Sequence, residues 1–286
     1  MANSPQHAQE VALGERFEFG NNWRRFLELL NDDRISEAEA SLRKMFQIET
    51  LEGKTFLDIG SGSGLFSLAA RRLGAEVTSF DYDPDSFACT QELRRRFFPN
   101  DPSWRVEQGS VLDRAFIKTF GKFDIVYSWG VLHHTGKMWE ALDHAAIPVK
   151  SDGALLVAIY NDEGAISQRW VTVKQTYLKL PGFLRPPYLA AFFVSSYWRR
   201  TLKDFLLLRP FHTFRAYGQG RRGMNVWRDH VDWIGGYPFE VAKPEELFEF
   251  YKSRGFSLER MVTVNDLGCN EMVFRHSGAS SSSSTQ

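Results

Sequence analysis

The stretch Phe56-Leu57-Asp58-Ile59-Gly60-Ser61-Gly62-Ser63-Gly64, FLDIGSGSG, runs an apolar segment into three alternating glycines, and LFSLAARRLG (65–74) follows at helical spacing. A strand that breaks into a glycine turn and then a helix builds a ligand site: glycine allows close backbone approach and positive φ, and the helix start leaves N–H groups free for an anionic group. The dinucleotide fingerprint would place a third glycine at 65, where Leu65 stands, so pyrophosphate and NAD are not expected. The next strand, AEVTSFDYDP (75–84), ends on Asp81, about 20 residues past the glycines, where an acid accepts hydrogen bonds from ribose hydroxyls. The ligand reads as a nucleoside without a diphosphate.

Working outward, strands are expected at Thr55 to Gly60, Glu76 to Asp81, Trp104 to Glu107, Phe123 to Ser128 and Gly153 to Tyr160, each nearly continuous in apolar residues and separated by helical stretches. That alternation predicts a parallel sheet covered on both faces. Before it, Trp23-Phe26-Leu27-Leu30 and Ile35-Ala38-Leu42-Met45-Phe46 predict two short helices, with Asp32-Asp33 as break and cap. After it, KPEELFEFYKSRGF (243–256) has Pro244 placed for a first helical turn and Gly255 for its end, and SLERMVTV and NEMVFRH follow as strands. The tail SGASSSSSTQ is low-complexity and almost without apolar residues, so 277–286 is expected to be disordered.

LDIGSGSG, FDYDP, VEQGSVLD (106–113) and FDIVYSWGVLHHTG (123–136) stand in that order. Together they resemble class I S-adenosylmethionine-dependent methyltransferases, and among these the chain is similar to the ubiquinone-biosynthesis type that acts on small molecules. The resemblance covers roughly Leu51 to Asn161, with a weaker match from Lys243 to His276. It implies an α/β, Rossmann-like sheet of seven strands, mostly parallel with the last antiparallel, S-adenosylmethionine as cofactor, and a small-molecule acceptor. It also implies that Asp58, Gly60, Gly62 and Gly64 surround the cofactor's amino-acid end, that Asp81 holds the ribose, that Tyr82, Ser110 and Val111 flank the adenine, and that Trp129 joins the site. Ser110 stands where these proteins often carry an acid, and His133-His134 stands where the ubiquinone type shows Glu-His.

The organisation expected is a helical extension over 1–50, a cofactor-binding core over 51–164, a helical insertion over 165–237 serving as acceptor lid, and the rest of the core over 238–276. Overall charge is balanced, 35 basic against 35 acidic residues, and gives no general bias toward nucleic acid or membrane. From Ile166 to Trp233, however, twelve basic residues face three acidic ones, a net +9 that the remaining chain must offset, and the same segment is rich in aromatics. That pattern admits an RNA or protein acceptor docked on the insertion. This reading ranks below a small molecule because the basic residues are spread among apolar ones at helical spacing, and IYNDEG follows strand five where a base pocket of the Asn-Pro-Pro-Tyr type would stand. PPYLAAFFVSSYWRRTLKDFLLL (186–208) also admits an amphipathic helix on anionic lipid, that is, a peripheral membrane contact.

His133 or His134 is expected to take a proton from the acceptor, with His133 preferred; Asp229, His230 and Asp232, between tryptophans and a Gly235-Gly236 turn, are the other candidate bases. No ligand spacing calls for a metal. Cys89 and Cys269 read as reduced, buried thiols, the N-terminus lacks a signal-like pattern, and the longest apolar run, YLAAFFV, falls below the ~18 residues of a spanning helix, so a cytoplasmic protein is expected.

Overall fold

A computed structural model of the chain describes residues 4–20, 23, 27, 30–207, 209 and 226–277, apart from the side chains of 4, 5, 228 and 229. Phe26 of the first expected helix, most of the segment after 207, the Asp229 side chain and all but the first residue of the serine-rich tail lie outside the described residues.

The sheet has seven strands: β1 (Thr55–Ile59), β2 (Glu76–Asp81), β3 (Trp104–Gln108), β4 (Phe123–Trp129), β5 (Val149–Tyr160), β6 (Phe256–Val262) and β7 (Cys269–His276). Their order is β3-β2-β1-β4-β5-β7-β6. The first five pair in parallel, and β7 runs antiparallel between β5 and β6. This is the expected architecture. β5 starts earlier than Gly153, because Val149 already pairs with Phe123 before the register shifts between Phe123 and Ile125.

Side-chain alternation along each strand feeds two cores. Phe56, Trp104, Tyr127 and Leu156 pack on one face with α2 (Asp32–Phe46), α3 (Leu65–Arg72) and α4 (Pro84–Phe97). Leu57, Ile59, Val126, Leu155 and Phe274 pack on the other with α5 (Arg114–Thr119), α6 (Met138–Ala146) and α10 (Pro244–Lys252). Burying strands on both faces explains why they read as apolar runs rather than alternating ones.

Helix starts follow local chemistry. Asn31, not the Asp pair, caps α2 by accepting from the Arg34 amide, while Asp32 and Asp33 occupy the first turn, where the helix dipole favours acids. The Asp83 carboxylate caps α4 with Pro84 at its first position. A further helix, α1 (Ser4–Ala12), precedes the two that were expected.

The insertion contributes α7 (Ala165–Lys179), α8 (Arg185–Leu206) and α9 (Val226–Gly235). Their apolar faces form a third core of Tyr177, Leu178, Leu189 and Ile234, against which Phe17 also packs, so the insertion and the N-terminal segment are built as one cover. The Lys174 ammonium is buried beside the Trp233 and Phe239 rings, donates to the Trp233 carbonyl, and is pulled down to about 7 by burial. Both cysteines are free thiols; Cys89 is buried and Cys269 only half-buried. Among the described residues, no helix is long and apolar enough to cross a membrane.

Candidate active site

The carboxyl ends of the parallel strands open onto a cavity of about 590 Å³, within the size range of small-molecule sites. Its floor is the glycine turn. The Gly60 and Ser61 amides donate to the Phe80 carbonyl at 2.9 and 3.1 Å, which stitches the end of β1 to β2. Gly60 has φ +76°, and a Cβ there would lie 2.4 Å from Val131 Cγ1. Gly62, at φ +56°, lies against the Trp23 indole, whose Cε2 would be 3.1 Å from an added Cβ. Gly64 is the N-cap residue of α3 and lies behind the cavity wall.

The Asp81 Oδ2 accepts from the Gly62 amide at 2.8 Å, and Oδ1 from the Asp83 amide at 2.9 Å. Each carboxylate oxygen thus keeps a lone pair for a ligand. Burial pushes the Asp81 carboxyl up to about 7 against these two bonds, with the Asp83 charge adding to the rise; the part of its surface open to the cavity limits that push. Asp58 reaches about 7 for the same principal reason, held down by hydrogen bonds from Ser67. Tyr82 donates its hydroxyl to Glu10 at 3.1 Å, and Trp129 Nε1 donates to Glu271 at 2.8 Å. With Asp58, Gly60, Gly62, Asp81, Ser110 and Val111, both belong to the cavity wall.

At the other end, His134 and Asp232 line the cavity, joined by Phe17, Phe19 and Tyr160. The preference for His133 is reversed. A short 3-10 turn (Leu132–His134) follows β4; the two rings meet edge to face with centroids 4.4 Å apart, but only His134 belongs to the cavity wall. His133 is fully buried with its ring centroid 4.0 Å from that of Tyr160, its Nε2 has no hydrogen-bond partner among the described residues, and it is not part of the wall. Burial and the neighbouring His134 and Lys174 charges hold its pKa well below 6.5. His134 is depressed to about 3, chiefly by burial, with a hydrogen bond to the Pro238 carbonyl opposing. That bond, 2.6 Å from Nδ1, requires the proton on Nδ1 and leaves the lone pair on Nε2. His230 is a packing residue: its Nε2 lies 3.1 Å from the Leu189 carbonyl and ties α9 to α8, away from the cavity.

Phe17 to Ile48 is expected to close over the acceptor together with the insertion, and spacing did not reveal that the wall also takes in His7 and Arg16. His7, Arg16, Phe17, Phe19 and Trp23 all line the cavity. The segment is fastened by Arg16, which donates to Glu10 and to the His134 carbonyl, and by the Gly20 amide, which donates to Asp83 at 2.9 Å. No residue type or spacing in 4–16 marks that part as a ligand site; the segment's place follows from tertiary packing on α9.

Two measurements follow from these contacts. Asp81→Ala should weaken cofactor binding by about 1–3 kcal/mol, because a charge-assisted hydrogen-bond acceptor is lost, and calorimetry reads this directly. The depressed His133 leaves the unfolded chain to take up a proton first as pH falls below 6.5, so its contribution to stability is complete above that pH and is lost below it. His133→Asn should therefore lose less stability than the parent between pH 7.5 and 5 in urea unfolding.

A family model for a methyltransferase domain matches residues 28–220, about two thirds of the chain. The chain belongs to the methyltransferase-domain family. It is 31% identical over 138 residues to the mitochondrial ubiquinone biosynthesis O-methyltransferase of Schizosaccharomyces pombe, covering 47% of each chain. It is 29% identical over 122 residues to the tRNA U34 carboxymethyltransferase of Pseudoalteromonas translucida, covering 43% of this chain and 37% of that one. The chain spans about half the length of the curated relatives it matches or less. Among solved structures, PKMT2 from Rickettsia typhi in complex with AdoHcy superposes with a TM-score of 0.54 at 14% identity, over 84% of this chain and 52% of that one. The putative methyltransferase complexed with the Haloferax volcanii Trm112 activator gives 0.52 at 14% identity, over 92% and 98%. These two likenesses bear on the fold.

The fold is that of class I methyltransferases, whose cofactor is S-adenosylmethionine. The cavity's donor set fits this group: Val111 and Leu112 suit an apolar face such as adenine, the Asp81 carboxylate suits ribose hydroxyls, and Asp58 with the glycine turn suits a charged amino-acid end.

Proposed function

We propose that the chain moves a methyl group from S-adenosylmethionine to a small-molecule acceptor carrying an oxygen, nitrogen or sulfur nucleophile. One observation carries this reading: a single cavity joins Asp58, the glycine turn and Asp81 to an aromatic chamber of Phe17, Phe19 and Tyr160, with His134 and Asp232 in its wall. When bound, the cofactor supplies an electrophilic methyl group on a cationic sulfonium. Asp81, Tyr82, Ser110, Val111 and Trp129 hold and orient it, and the rings exclude water and favour its positive charge. The insertion, residues 165–237, serves as the acceptor lid. His134 is neutral at working pH, and its Nε2 lone pair orients the acceptor's nucleophile by a hydrogen bond; with its imidazolium held to about 3 it is a weak base, which leaves Asp232 as the group to take the proton. Most of the rate enhancement then comes from positioning rather than from acid–base chemistry.

The test is transfer of label from methyl-labelled cofactor. With a mixed small-metabolite fraction, label should enter low-molecular-weight product. With bulk RNA or protein it should not, at 50 or 200 mM salt. Label precipitating with RNA, and falling steeply with salt, would transfer the assignment to a nucleic-acid acceptor docked on the basic insertion.

A second proposal concerns where the acceptor is met. Along α8, Val194, Trp198, Leu202 and Phe205 are each at least half exposed, with Arg199, Arg200 and Lys203 beside them. An apolar stripe edged by cations supports contact with an anionic lipid surface and delivery of a lipid-soluble acceptor. Co-sedimentation with phosphatidylglycerol vesicles, but not with phosphatidylcholine vesicles, is the expected result.

A further inference from the structure

Beneath the glycine turn a hydrogen-bonded chain crosses four elements. The Trp104 indole on β3 donates from Nε1 to Ser79 Oγ on β2 at 3.0 Å. The Ser79 hydroxyl donates to Ser67 Oγ on α3 at 2.8 Å, and Ser67 donates to Asp58 Oδ2 on β1. All four residues are buried, Ser67, Ser79 and Trp104 completely. An ionised Asp58 can only accept, so Ser67 donates to it, Ser79 in turn donates to Ser67, and the Trp104 indole, which can only donate, closes the chain on Ser79. The direction of every bond is thereby set by the carboxylate in the cavity wall, and the tryptophan end fits that direction because it has nothing to accept with.

Asp58 and Ser79 are register partners on β1 and β2, so their side chains share a face. Ser67 is the third residue of α3, and its amide as well as its hydroxyl reaches Asp58. The strand pairing and the helix start that make the glycine turn thus also place the chain.

We propose that Trp104, Ser79 and Ser67 are positioning residues for Asp58, fixing its orientation and its negative charge toward the α-ammonium end of the cofactor. The proposal rests on the assignment of S-adenosylmethionine to this cavity. The neighbours of Asp58 make its charge sensitive to a single hydrogen bond. The Asp58 and Asp81 carboxylates repel, Tyr127 on β4 stands beside Asp58 in register, and residues 60–70 carry no ionisable side chain to compensate. Losing the Ser67 hydroxyl therefore favours the protonated acid, which cannot pair with an ammonium group.

The experiment is calorimetric titration of the full chain with S-adenosylhomocysteine from pH 6 to 8.5, with a melting curve at each pH. Parent affinity should rise with pH as Asp58 ionises. Ser67→Ala should bind about tenfold more weakly at pH 7, with the rise displaced upward by about one pH unit and most of the affinity regained at pH 8.5. Ser67→Cys, of similar shape but a weaker donor, should fall between the two and still reports if the alanine variant folds poorly. Trp104→Phe, which keeps the ring but not the donor, should weaken binding at pH 7 by roughly threefold. None of the substitutions touches Asp81 or its hydrogen bonds, so the difference between parent and variants reports the change at Asp58 together with its repulsion of Asp81. Unchanged affinity in Ser67→Ala, or a loss equal at every pH and tracking the melting temperature, would overturn the proposal and leave these hydroxyls as packing. A parent that binds no S-adenosylhomocysteine at any pH would instead sink the cofactor assignment on which the proposal stands.

Discussion

Gly60→Val is expected to bind S-adenosylhomocysteine about 100-fold or more weakly than the parent. Left-handed backbone costs a residue with a Cβ about 1–2 kcal/mol, and forced overlap with a packed side chain costs about 1–3 kcal/mol more. Gly60 incurs both, since its φ is +76° and an added Cβ would stand 2.4 Å from Val131 Cγ1. The strain cannot dissipate locally. The Gly60 amide is held by the Phe80 carbonyl, and Val131 begins the turn that carries His133 and His134. Either the glycine turn leaves its place under the ligand or the histidine turn moves. Adding Val131→Ala should restore part of the affinity by removing the overlap while leaving the φ strain. Near-parent binding by Gly60→Val alone would show that the turn is not the cavity floor during binding.

His134→Gln should lower turnover by about 10²-fold or more while leaving S-adenosylhomocysteine affinity within a few fold, using the acceptor found by label transfer. Because burial depresses His134 to about 3, it is already neutral across pH 5–8, and no rise in rate over that range should be attributable to it. Parent and variant should therefore show pH profiles of the same shape at different heights. If turnover persists in His134→Gln and collapses in Asp232→Asn, Asp232 takes the proton without an orienting bond from the turn after β4. If both persist, the acceptor needs no base and positioning accounts for the rate.

The turn and strand end that line the cavity were legible because their constraints are local, although Gly64 proves to lie outside the lining. Glycines at 60, 62 and 64 and an acid at 81 are demanded by backbone conformation and by strand ends, which period and spacing reveal. The choice between His133 and His134 was not legible. Adjacent residues leaving a strand diverge, which predicts that one ring reaches the cavity, but a 3-10 turn decides which one, and LHH has no distinctive pattern. His230 misled for a related reason: dense charges beside tryptophans look like a site, whereas its ring serves the packing of α9 on α8. Of the N-terminal wall, expected from Phe17 onward, His7 and Arg16 escaped because their place depends on partners far away in sequence, Asp83 for His7 and the His134 carbonyl for Arg16.

That wall has an energetic side. The N-terminal segment grips the loop after β2 through Glu10 on Tyr82 and the Gly20 amide on Asp83, and the same loop follows the Asp81 that is to hold the ribose. Two guests on one loop share one free energy: whatever the nucleoside adds to the grip of residues 10–20, those residues add to the hold on the nucleoside. Loosening residues 10–20 should then weaken the hold on the nucleoside by the same factor, so the affinity of the site can be adjusted at the amino-terminal segment, far from the bond that is made.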